Sequence, residues 1–87
     1  MSRLVIVFES THDAIATTET LQAVNPIVIP TPREISSSCG IALMVDLSYL
    51  YFVQDSLKNK NIINYGIYKI CGENKKQYIK IGSEYSE

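Results

Sequence analysis

Few residues in this chain could do covalent chemistry, and most of them fall in one stretch, "PTPREISSSCG", at positions 30–40. It holds Arg33, Glu34, the hydroxyls of Ser36, Ser37 and Ser38, and Cys39 immediately before Gly40; the other candidates are Cys71, the single His12, and the carboxylates Glu9 and Asp13. A thiolate is the one strong nucleophile in that set, and its reactivity depends on how far its surroundings depress the thiol pKa. Two cysteines are too few for a disulfide framework, and with one histidine there is no metal-ligand spacing, so neither a metal nor another cofactor is expected. The serines have no paired base or third orienting group, which excludes a hydrolase triad. The carboxylates have no fixed separation and read as capping or solvated groups. Any chemistry therefore falls to a thiol. On its own, Cys39 also fits an inert residue filling space where a loop enters a strand, the commoner situation.

The whole chain bounds what such a thiol could serve. At 87 residues there is room for one core and no separate catalytic domain. A net charge of −1 and a pI near 5.8 leave no clustered basic face for nucleic acid, and no apolar run is long enough to span a membrane. The run Leu4 to Phe8 has one arginine before it and no small-residue cleavage pattern after it, so it reads as a strand rather than a secretory signal, and the cytoplasm is the expected compartment. Tyr49, Tyr51, Tyr65 and Tyr68 fit a core edge or an oligomer contact better than base stacking.

The elements that position the loop are legible by pattern. "LVIVF" at 4–8 is β-branched and apolar on both faces, which predicts a central strand whose back is also protected. Ser10 with Asp13 three residues on predicts a helix start, followed by a modest stripe through Ala14, Thr17 or Thr18, Leu21 and Val24. Asn25-Pro26 ends that helix, and strands are expected at 27–29 and 40–45 on either side of the loop. Asp46 or Ser48 caps a second helix with a stripe of Leu47, Leu50, Val53 and Leu57. Strands at 65–70 and 78–81 close the chain. The order β-α-β-β-α-β predicts an α+β domain of the ferredoxin-like, split βαβ kind, an antiparallel sheet with both helices on one face, extended by one C-terminal hairpin strand. The domain is expected to span residues 1–82, with 83–87 a disordered tail.

In that topology strand 40–45 lies beside strand 4–8, so Cys39 should face the helix start at Ser10 to Asp13. Unpaired N–H groups and the positive dipole end there would stabilise a thiolate, and Thr11, His12, Asp13, Arg33 and the three serines would add to that site if they point inward. Gly40 would give a partner close access. Cys71 ends the strand 65–70, on the order of 20 Å from Cys39, too far for a disulfide between them.

Three segments, "FESTHDA" (8–14), "IPTPREISSSCGIAL" (29–43) and "GIYKI" (66–70), in this order and spacing resemble the small bacterial family described as putative selenium/sulfur carrier protein-like. The similarity covers residues 4–70 and leaves out Cys71 and the tail. It implies a role in holding sulfur or selenium on a cysteine, which falls on Cys39. The family's Pro-Arg-Glu and serine positions fall on Pro32, Arg33, Glu34 and Ser36 to Ser38, and its Thr-His-Asp segment on Thr11, His12 and Asp13. The implied protein is a persulfide relay rather than a turnover enzyme, with a sulfur or selenium donor and an acceptor protein as partners. Two other readings compete with it. The loop could be an anion or ligand pocket of a small binding or regulatory module with a structural cysteine, or the open edge "YIKI" could make a structural homodimer.

Overall fold

The computed structural model describes residues 2–35, 40–72 and 77–84. Its elements run β1 (Arg3–Phe8), α1 (Thr11–Thr20), β2 (Ile27–Pro30), β3 (Ile41–Asp46), α2 (Leu50–Asn59), β4 (Tyr65–Cys71) and β5 (Gln77–Glu84). They form one antiparallel sheet in the order β2-β3-β1-β4-β5. The chain is thus an α+β domain with five strands and two helices. With β5 hydrogen-bonded along β4, the sheet departs from a four-stranded ferredoxin-like sheet. The strand also runs further than expected: Ser83 pairs with Gly66 and Glu84 with Tyr65, so two residues assigned to the tail are sheet. The start of β4 would otherwise leave backbone donors and acceptors unpaired along that edge, which the longer strand prevents. Residues 85–87 lie outside the described residues.

Local chemistry accounts for the helix ends. Ser10 has extended dihedrals and its Oγ accepts the Asp13 N–H at 3.4 Å, the expected cap. Thr17, Thr18 and Thr20 are poor helix formers, and Thr18 and Thr20 turn their hydroxyls back onto the Ala14 and Ala16 carbonyls at 2.8 and 2.9 Å. Packing of Ala14, Thr17 and Leu21 against the sheet, rather than propensity, holds this helix. The helix stops at Leu21, a 3-10 turn follows, and Asn25 at φ 51° turns the chain into Pro26 and β2. Before α2, the Asp46 carboxylate accepts the Ser48 N–H at 2.9 Å and the Ser48 hydroxyl, and these two bonds hold its pKa below the usual carboxylate value. Residues 47–49 form a 3-10 turn there, so the regular helix begins at Leu50.

The two faces of the sheet are covered differently. Leu4, Ile6 and Phe8 of β1, with Leu43 and Val45 of β3 and Ile67 of β4, pack under Ala14 and Leu21 of α1 and Val53 and Leu57 of α2. Both helices therefore lie on this one face. Alternation sends Val5, Val7 and Ala42 to the other face, where they are buried with Ile35, a loop residue. Ile29, Met44, Tyr68, Ile70 and Tyr78 pack around that second cluster. A loop, not a third helix, covers the back of the sheet.

Candidate functional site

The loop between β2 and β3 is fastened at three described points. At its mouth the Thr31 N–H donates to the Gly40 carbonyl at 3.1 Å, just beyond the last ladder pair, Pro30 with Ile41. Inside it, the Ile35 N–H donates to the Pro32 carbonyl at 3.0 Å, closing a turn with Arg33 and Glu34 exposed at its tip. The third point is the Ile35 side chain, 4% exposed between Val5, Val7 and Ala42. Burying an isoleucine contributes about 2–3 kcal/mol, more than either single backbone bond. The described part of the loop, Thr31 to Ile35, is thus a strap tied to the helix-free face by Ile35.

Its reach is visible at the far side of the sheet. Burial, and after it the negative charge of Glu34, raises the Tyr78 phenol above its ordinary value of 10.0. Tyr78, paired with Ile70 on the last strand, packs against the cluster of Val5, Val7, Ile35 and Ala42, the same cluster that holds the loop.

Only part of the expected site lies within the described residues. Gly40 does stand at the end of the sheet where β1 finishes, since Val7 pairs with Ala42 and β3 starts one residue earlier. Thr11, His12 and Asp13 form the first turn of α1 at the same end, with Thr11 and His12 exposed and Asp13 half-buried. However, His12 and Asp13 line a groove with Lys60, Asn61 and Ile62, residues that lead into β4, whereas Gly40 leads into β3 on the opposite side of β1. Arg33 is exposed in the turn two residues before Ile35, whose side chain is buried on the face away from the helices. Arg33 does not line the groove of His12 and Asp13. A loop's choice of face is not written in any period, and here the deciding contact is the single apolar residue Ile35. Ser36, Ser37, Ser38 and Cys39 lie outside the described residues.

The remaining chemistry is sparse. Gly40 is exposed, and a Cβ there would meet no atom of the described residues within 4 Å. Cys71 is a half-buried free thiol at the end of β4, beyond the pair of Arg3 with Ile70 and so at the opposite end of the sheet from Gly40. Among the described residues no three His, Cys, Asp or Glu side chains gather where they could hold a metal ion. No described helix is long and apolar enough to cross a membrane.

A family model described as Putative Se/S carrier protein-like matches residues 3–69. The chain belongs to this family. No curated protein and no solved structure matches it. The match to the Se/S carrier-like family runs from β1 through the strap to the middle of β4, so it includes Arg33, Cys39 and Gly40 and stops before Cys71 and β5. Sequence reasoning found this extent to within a residue at either end. It missed Ile35 as the anchor and Lys60 and Asn61 as neighbours of His12; the signal for Ile35 was that "LVIVF" is apolar on both faces and so requires cover behind.

Proposed function

We propose that this protein is a sulfur or selenium carrier whose working group is the Cys39 thiol. The observation that carries the reading is the family match through the strap, which includes Cys39 and excludes the other cysteine. In the transfer, the Cys39 thiolate attacks the outer sulfur of a donor persulfide, R–S–SH. The donor's S–S bond breaks, R–S⁻ leaves, and Cys39 holds the sulfane sulfur as Cys–S–SH; a terminal selenium atom transfers in the same way. An acceptor thiolate then repeats the displacement on that outer atom. No oxidant is consumed, since one S–S or S–Se bond is exchanged for another. The implied partners are a donor and an acceptor protein.

Supporting groups follow from the strap rather than from α1. Arg33, exposed two residues from the Ile35 anchor, is the cation that travels with the loop, and the hydroxyls of Ser36, Ser37 and Ser38 are its neutral donors to an anion. Gly40 leaves the mouth open to a partner. Thr11, His12 and Asp13 have no assigned part in this transfer. The four-strand frame β2-β3-β1-β4 is read as a split βαβ unit to which β5 is added, consistent with the family match ending before β5. The test is loading: incubation with a persulfide donor should add one reducible sulfur atom to Cys39, read by intact and peptide mass.

A further inference from the structure

The groove beside His12 is unused by the reading above and has a chemistry of its own. It encloses roughly 330 Å³ between α1 and the turn that follows α2. Asp13 and Glu19 of α1 line one wall; Lys60 and Asn61 line the other; Ile62, 8% exposed, lies between them. His12 stands at the α1 side. Opposite charges that share one groove ordinarily pair with each other. Here no ion pair joins Lys60 or His12 to Asp13 or Glu19 among the described residues. The space between them therefore presents two carboxylates to a cation on one side and an ammonium to an anion on the other.

That arrangement discriminates by charge. A small anion attracted to Lys60 meets the repulsion of Asp13 and Glu19, and a small cation attracted to the carboxylates meets that of Lys60. A ligand with both charges a few bonds apart satisfies both walls. The volume, at the low end of small-molecule sites, suits a compact molecule rather than a nucleotide or a folded partner. We propose that this groove binds a free α-amino acid as its zwitterion, the ammonium against Asp13 and Glu19 and the carboxylate against Lys60 and the Asn61 amide. Because its charged groups are largely exposed, the affinity is weak, on the order of millimolar. The proposal stands independently of Cys39.

The experiment is an amide-shift titration of the isotope-labelled full chain with glycine, acetate and methylammonium in parallel. Glycine should give saturable shifts at residues 12–20 and 60–62, and the two single-charge probes should give none at the same concentrations. Lys60→Met and Glu19→Gln, both at exposed positions that leave the core intact, should each weaken glycine binding by about fivefold or more. Absence of saturable shifts with glycine overturns the proposal. So do equal shifts with acetate or methylammonium, which would mean simple ion attraction, or unchanged affinity in both variants.

Discussion

The two faces of the sheet reach the same burial by different means. On the helix side, twelve buried residues among those described, from both helices, the three strands β1, β3 and β4 and the connecting turn, make one continuous core. On the back, the buried cluster has four of the described residues, and one of them, Ile35, belongs to no helix or strand. Val5 and Val7 are nonetheless as well buried as Leu4 and Ile6, at 0% and 3% exposure against 0% for both. What differs is the cost of opening. Removing the helix layer means breaking a large contiguous core, whereas lifting the strap removes one isoleucine and a few backbone bonds, a local event of lower free energy. If the proposed function holds, a loop that meets a donor and then an acceptor gains from being tied to the domain on the side that opens more readily.

The sharpest way to break that comparison is Ile35→Ala. It should destabilise the domain by about 2–3 kcal/mol in denaturant unfolding, and hydrogen exchange should rise at Thr31 and Ile35 before it rises at the helix-side core. Uniform acceleration across both faces would mean that the strap is not a separate unit. On the helix side, the Thr17 hydroxyl is fully buried with no hydrogen-bond partner, so Thr17→Val should stabilise the domain by about 1 kcal/mol, seen as a higher denaturation midpoint at unchanged slope. A loss of stability would show that the hydroxyl is satisfied after all.

The smallest effect tests the reach of the strap. Because the folded Tyr78 holds its proton above the ordinary value of 10.0, stability from this group is complete below that pH and is lost as pH rises through the folded pKa. Glu34→Gln should lower the folded Tyr78 pKa, read by phenolate absorbance, and so make that loss smaller, with burial keeping part of the shift. No change would place the strap's tip away from β5.

Much of this was readable from residue pattern, for reasons that differ by element. The apolar runs at 4–8, 40–45 and 65–70, the Ser10 cap and the Leu47, Leu50, Val53, Leu57 stripe are local signals; the strands and the cap appear in the structure within a residue or two, and of the stripe Leu47 falls in the 3-10 turn before α2. Topological rules supplied the place of β3 between β1 and β2. The face chosen by the strap was not readable, since it depends on a contact between Ile35 and β1, some thirty residues earlier in the chain. The groove was hidden for the same reason: His12 and Lys60 are neighbours only once α2 has packed over the sheet. Likewise, the reach of β5 to Glu84 depends on the free edge of β4 more than on the strand propensity of Ser83 and Glu84.

The central claim is that Cys39, on the strap, carries the sulfur, and that Cys71, at the other end of the sheet, does not. It is tested most directly by exposing Cys71→Ser and Cys39→Ser chains to the same persulfide donor and comparing their intact masses before and after reduction. The account predicts one added, reducible sulfur atom on the Cys71→Ser chain and none on the Cys39→Ser chain. An adduct on the Cys39→Ser chain, with none on the chain that retains Cys39, would contradict it.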